Sequence, residues 1–116
     1  MYTVRVTRAF SAAHAIRAHG GKCEDVHGHN YKVEVWIRSH DLSPPGMVAD
    51  FVEVRQKLDS VLPDHKMLNE QYPFNPTTEN LARHFFEEMS KFYRVSKVVV
   101  WENETSCAEY EAEAGP

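Results

Sequence analysis

The run Cys23-Glu24-Asp25-Val26-His27-Gly28-His29-Asn30-Tyr31-Lys32-Val33-Glu34-Val35-Trp36-Ile37-Arg38 changes character at its middle. From Tyr31 onward apolar and polar side chains alternate, the period of a half-buried strand. Residues two apart in a strand point to the same face. His27 and His29 share the parity of Tyr31, Val33, Val35 and Ile37, so a strand that begins early aims both imidazoles at the packed side. Gly28 between them lets backbone approach closely, and each ring can offer a nitrogen at about 2.0–2.1 Å to Zn²⁺. A lone His-x-His is a weak signal, because surface or capped histidines also occur in pairs. Burial strengthens the metal reading, since a buried imidazole needs partners. The third ligand is expected from His14, at the end of the preceding strand pattern.

Working outward, Tyr2 to Phe10 alternates in the same way, and this first strand ends near His14. Ile16 to Asp25, with Gly20-Gly21, reads as a loop. Ser43-Pro44-Pro45-Gly46 breaks the chain after the second strand. Asp50 then caps a helix from Phe51 to Leu62, with Phe51, Val54, Leu58, Val61 and Leu62 on one face. Pro63 to Asn69 is short and irregular, and holds the adjacent acid and imidazole Asp64-His65. Phe74-Asn75-Pro76-Thr77-Thr78-Glu79 starts a second helix that runs to about Tyr93, its stripe being Leu81, Phe85, Met89 and Phe92, widened by Ala82 and Phe86. Lys97 to Glu102 and Cys107 to Ala112 complete four strands. Glu102 has the parity of Val98 and Val100, so a carboxylate stands where an inward apolar residue is expected. The order ββααββ predicts an α+β fold: a four-stranded antiparallel sheet with two helices on one face. Its two open edges favour oligomers that continue the sheet between subunits.

At 116 residues the chain is expected to form one domain, residues 1–116. Apolar content of 42% and charged content of 26% describe an ordinary globular protein. No apolar run reaches the roughly 18–20 residues of a membrane span, and the first residues lack signal-peptide form, so a cytoplasmic location is expected. A net charge of -4 argues against nucleic-acid binding. An anionic small substrate would find local positive charge at Arg17, His19 and Lys22. Cys23 and Cys107 are expected to stay reduced, with Cys107 a small packed residue in its strand.

Taken together, Phe10-Ser11-Ala12-Ala13-His14, Cys23-x-x-x-His27-Gly28-His29-Asn30-Tyr31, Asp50-Phe51, Asp64-His65-x-x-Leu68-Asn69, Pro76-Thr77-Thr78-Glu79-Asn80-Leu81 and Val98-x-Val100-x-Glu102 resemble the 6-pyruvoyltetrahydropterin synthase family. Within it they are most similar to the bacterial 6-carboxytetrahydropterin synthases of queuosine biosynthesis. The resemblance runs from Met1 to about Ala112. It implies a tunnelling fold whose subunits assemble into an oligomeric β-barrel, commonly a homohexamer of two stacked trimers with active sites between subunits. It also implies Zn²⁺ held by His14, His27 and His29, and Cys23 as the proton-transferring base. Asp64 and His65 would be its partners, contributed by a neighbouring subunit, and Glu102 and Thr78 would bind the pterin.

The implied reaction is a zinc-dependent carbon–carbon lyase step. It takes 7,8-dihydroneopterin triphosphate to 6-carboxy-5,6,7,8-tetrahydropterin, releasing acetaldehyde and triphosphate. Three histidines leave zinc an open position, a nearby cation lowers a thiol's pKa, and a carboxylate accepts two hydrogen bonds from the guanidine-like ring edge. Two departures bear on the product. Glu24 follows Cys23 directly, and some relatives use a glutamate near this position as base in a folate-bypass synthase making 6-hydroxymethyl-7,8-dihydropterin. Asn103 stands where many members have Thr. The alternatives are therefore a 6-pyruvoyltetrahydropterin synthase or folate-bypass synthase, and, from another class, a non-catalytic zinc-stabilised pterin-binding module.

Overall fold

The computed structural model describes residues 1–16 and 25–113. Two long strands, β1 (Tyr2–His14) and β2 (His27–Ser39), pair antiparallel along their whole length, from Tyr2 opposite Ser39 to His14 opposite His27. Helix α1 (Phe51–Val61) follows, then a two-residue strand β3 (Lys66–Met67), a single turn of helix α2 (Leu68–Gln71) and helix α3 (Thr78–Met89). Strands β4 (Val95–Trp101) and β5 (Cys107–Glu111) close the chain. The sheet order is β3-β1-β2-β4-β5, and only the β3–β1 pair is parallel.

The α+β class and the helices on one face follow the sequence expectation, but among the described residues the sheet has five strands and there are three helices. The extra elements both come from Lys66 to Gln71, which begins inside the Pro63–Asn69 stretch expected to be irregular. A two-residue strand and a one-turn helix are too short to show a period. They are fixed by tertiary contacts: Lys66 lies opposite Ala12, Met67 opposite Ala13, and Leu68 is fully buried.

The expected alternation decides the core. Phe10, Tyr31, Val33, Val35, Val98 and Val100 face the helices and meet Val54, Leu58, Leu81, Phe85 and Met89. The Phe10 and Tyr31 rings stack with centroids 4.8 Å apart, and Phe85 meets Phe10 edge-on at 5.9 Å. Asp50 accepts from the Val52 N–H at 2.9 Å and caps α1, and the Thr77 hydroxyl accepts from the Asn80 N–H at 3.1 Å and caps α3. Both helix stripes are narrower than expected. Phe51 and Phe92 are each about half exposed, because Phe51 sits in the first turn of α1 and Phe92 lies beyond the end of α3. Cys107 is exposed rather than packed: it lies opposite Trp101 on the sheet face that no helix covers. Among the described residues, no helix is long and apolar enough to cross a membrane.

Candidate active site

The β1–β2 register does what the spacing of the histidines requires. His14 and His27 are direct cross-strand partners, and His29, two residues along, stands on the same face. The three rings meet edge to face, with centroids 4.5 Å apart for His14–His27, 4.8 Å for His27–His29 and 5.2 Å for His14–His29.

The hydrogen bonds fix the tautomers. His14 Nδ1 lies 2.9 Å from the Pro76 carbonyl oxygen and His27 Nδ1 lies 2.9 Å from that of Asp25. A carbonyl only accepts, so both Nδ1 atoms donate, and both Nε2 atoms carry lone pairs. Those two Nε2 atoms are 3.0 Å apart. Two lone pairs so close repel each other unless a proton or a cation lies between them. In a tetrahedral site with bonds of about 2.0–2.1 Å, two nitrogen ligands stand roughly 3.4 Å apart, so the pair has nearly the spacing that one ion requires.

Glu102 supplies the fourth group. Its Oε1 lies 2.8 Å from His29 Nε2 and 3.6 Å from His14 Nε2. The short His29 contact is not aligned as a hydrogen bond, and His29 Nε2 is buried without a hydrogen-bond partner. Burial pulls the His29 pKa below its usual value, outweighing the opposing pull of Glu102, so the neutral ring is favoured. The potential ligand atoms of His14, His27, His29 and Glu102 all lie within 4.8 Å of one another. Three neutral imidazoles and a carboxylate suit a borderline divalent cation. The buried, orphaned nitrogen and the facing lone pairs show that these residues fit a metal.

Further residues, the expected Thr78 among them, support the group. The Tyr31 hydroxyl is 3.2 Å from His14 Nδ1, and burial raises its pKa well above the ordinary tyrosine value. Asn69 accepts from the Ala15 N–H and donates to the Ala15 carbonyl, both at 2.8 Å, pinning the chain just past His14. Thr78, at the start of α3, donates its hydroxyl to Glu102 Oε2 at 3.0 Å. The sequence signal for Asn69 and Thr78 was their place within short polar motifs. Nothing in the sequence marks the carbonyls of Asp25 and Pro76. Gly28 is not sterically required, since a Cβ there meets its nearest atom, the Ala12 carbonyl oxygen, at an ordinary 3.6 Å.

Asp64 and His65 do form a pair, with Asp64 Oδ2 3.1 Å from His65 Nδ1. Asp64 Oδ1 accepts from the Ser11 N–H at 2.9 Å, while the His65 N–H donates to the Ser11 carbonyl at 2.6 Å. The Ser11 bond, then His65, hold the Asp64 pKa below the usual carboxylate range. The His65 backbone is left-handed, with φ +58°, and its side chain is 82% exposed. His65 shares a groove of about 510 Å³ with Ser11, Gly28, His29 and Lys66. A second cavity of about 510 Å³ lies against Glu102 and is also lined by His29, Asn30, Lys32, Trp101 and Asn103. Cys23, Glu24, Arg17, His19 and Lys22 lie outside the described residues.

A family model described as 6-pyruvoyl tetrahydropterin synthase matches residues 3–113. The chain belongs to the 6-pyruvoyl tetrahydropterin synthase family. It is 43% identical to an Archaeoglobus fulgidus protein provisionally named 6-carboxy-5,6,7,8-tetrahydropterin synthase, over 91% of this chain and 92% of that one. To the 6-carboxy-5,6,7,8-tetrahydropterin synthase of Synechocystis it is 32% identical, covering 95% of this chain and 93% of the other. Among solved structures, the Caenorhabditis elegans 6-pyruvoyl tetrahydropterin synthase superposes with a TM-score of 0.83 at 27% identity, covering 97% of this chain and 96% of that one. The sheet and helices are thus those of the family, and the histidine cluster sits at the end of its longest strand pair.

Proposed function

We propose that the protein is a zinc-dependent carbon–carbon lyase that converts 7,8-dihydroneopterin triphosphate to 6-carboxy-5,6,7,8-tetrahydropterin, with release of acetaldehyde and triphosphate. The observation that carries this reading is the convergence of His14, His27, His29 and Glu102 beside an open cavity. The names of the relatives favour the carboxy-forming product over the pyruvoyl one.

His14, His27 and His29 would hold the ion, the carbonyls of Pro76 and Asp25 engaging Nδ1 and leaving Nε2 free in two of the three rings. An ion held there would supply Lewis-acid polarisation of the substrate's side-chain hydroxyls and so make the neighbouring C–H more acidic. Cys23 takes that proton as a thiolate. His65, with Asp64 holding its Nδ1 proton and so its tautomer, presents Nε2 as the acid and base on the other side of the side chain. Glu102 accepts from the amino and ring N–H groups of the pterin, and Thr78 fixes the carboxylate for that contact. Neighbouring subunits complete each site, with Asp64 and His65 crossing to the Cys23 of the next chain.

A second reading has one observation behind it. Glu24 beside Cys23 supplies an alternative base for a folate-bypass synthase making 6-hydroxymethyl-7,8-dihydropterin. Mass-spectrometric product analysis of the zinc-loaded protein with 7,8-dihydroneopterin triphosphate separates the two. A carboxytetrahydropterin that disappears in Cys23→Ala and persists in Glu24→Ala supports the lyase. A hydroxymethyl product that depends on Glu24 replaces it with the bypass enzyme, and no product from the wild type sinks both.

A further inference from the structure

The segment Asn75-Pro76-Thr77-Thr78 reaches both halves of the site at once. The Pro76 carbonyl accepts from His14 Nδ1 at 2.9 Å, and two residues on, the Thr78 hydroxyl donates to Glu102 Oε2 at 3.0 Å. The first bond orients a metal ligand, and the second orients the carboxylate that the ring is to meet. Pro76 and Thr78 are both buried, so both contacts are shielded from water. What fixes the segment lies in the first turn of α3. Asn80 Nδ2 donates to the Asn75 carbonyl at 2.9 Å, and the Asn80 backbone N–H donates to the Thr77 hydroxyl at 3.1 Å. The Thr77 N–H donates to the same Asn75 carbonyl at 2.8 Å. This closes a three-residue turn with Pro76 at its centre, where the fixed φ of proline fits. Asn80 is exposed, and these bonds tie it to the segment rather than to either half of the site.

We propose that Asn80 is a positioning residue for the whole site: by holding Asn75 and Thr77 it sets where the Pro76 carbonyl and the Thr78 hydroxyl stand, and so supports metal binding and ring binding together. The ring half of this inference rests on the pterin reading above. The Pro76 carbonyl and the Thr77 N–H belong to one planar trans peptide, so they point in opposite directions. Binding the Thr77 N–H to Asn75 therefore aims the Pro76 carbonyl the other way, toward His14. The acceptor in that turn is itself held by Asn80, which takes the second lone pair of the Asn75 carbonyl. Without the side-chain donor, the three-residue turn alone holds the segment, and the Pro76–Thr77 peptide is freer to rotate. Rotation takes the carbonyl off His14 Nδ1, the bond that fixes the tautomer of a metal ligand. It also displaces Thr78, the next residue along, from Glu102.

Asn80→Asp tests this, because it removes the amide donor at constant size while placing a carboxylate in the first turn of α3, where it favours the helix. The added negative charge would by itself favour a cation, so a loss of metal affinity in this variant reports position rather than charge. Zn²⁺ affinity is read by competition with a chromophoric chelator. Ring affinity is read by fluorescence titration of the metal-loaded protein with pterin, which has no hydroxylated side chain to reach the ion. Asn80→Asp is expected to weaken Zn²⁺ by about tenfold, the low end of the loss when an outer-shell partner is removed, and to weaken pterin as well. The melting temperature of the metal-free protein is expected to hold, and the visible bands of the Co²⁺-loaded protein to shift as His14 turns. Two unchanged affinities overturn the inference while leaving the pterin reading intact. So does a change in only one of them, which would give each half its own support, or a loss of both that merely follows a lower melting temperature. A wild type that binds Zn²⁺ but not pterin overturns the pterin reading, and this inference with it.

Discussion

Two hydrogen bonds that no motif records determine what the histidines can do. Because Pro76 and Asp25 take the Nδ1 protons of His14 and His27, the facing Nε2 atoms are bare and 3.0 Å apart. Removing an ion from between them should expose that repulsion. The melting temperature is therefore expected to fall by several degrees on chelation and to recover with Zn²⁺, while His14→Ala abolishes the response, as differential scanning fluorimetry would show. Affinity should also fall at acid pH, where protons compete with the metal for the ring nitrogens, and at His29 that competition sets in below the ordinary imidazole range because burial lowers its pKa. An apo protein as stable as the loaded one would count against the metal centre. Asp64 supplies a second pH dependence. Its folded pKa is depressed, chiefly by the Ser11 N–H, so its contribution to stability is present above the ordinary carboxylate pKa of about 4 and is lost as pH falls through the lower folded value. Asp64→Asn should thus melt below the wild type at neutral pH, with the gap closing toward pH 3. A gap that stays constant with pH would show that the Ser11 contact does not depend on the charge.

At the level of elements, what the sequence reveals depends on length and period. β1, β2, α1 and α3 run for eleven to thirteen residues, long enough for alternation or a helical stripe to be read directly. Their register then places His14, His27 and His29 together without further information. β3 and α2 have two and four residues, and at that length only contacts with β1 and the core determine their state. The same limit explains the overextended stripes. A period detects the apolar side of a helix, but it does not say where the neighbouring sheet stops, and Phe51 and Phe92 fall past that boundary. Of the site, His27, His29 and Glu102 were legible by parity and His14 by its place at the end of the first strand pattern. The Asp25 and Pro76 carbonyls were not, because a backbone acceptor has no residue signature. The caps do have one, and they can be tested singly. Asp50→Ala removes the acceptor for Val52 N–H and should cost about 1 kcal/mol in chemical denaturation, with metal binding unchanged. Metal loss on that substitution would instead tie α1 to the site.

On the scale of the whole molecule, the sheet is left unfinished. The described residues span 52 × 33 × 26 Å with a radius of gyration of 15.3 Å, against about 13.4 Å for a compact chain of this length. Among the described residues, β3 covers only the Ala12–Ala13 end of β1, and β5 has no neighbour beyond it. Assembly into a barrel, which the proposed function invokes to complete each site, would use those edges. The hydrogen bonding of β5 makes the idea testable with one residue. The Ala112 N–H donates to Ser96, and Ser106 O accepts from the Glu102 N–H. Residues of that parity therefore bond to β4, and by the alternation of a strand the Glu109 N–H points to the open side. Proline at position 109 deletes an outward donor and leaves the β4 ladder intact, which is where proline is tolerated in a sheet. Glu109→Pro is expected to keep the far-ultraviolet circular dichroism and to sediment as a smaller species than the wild type, and its turnover should fall with the oligomer. A wild type that sediments as a monomer at micromolar concentration would remove the barrel from the account. A variant that dissociates yet retains full turnover would show that one chain holds every group the reaction uses, and would return Asp64 and His65 to the groove they share with His29.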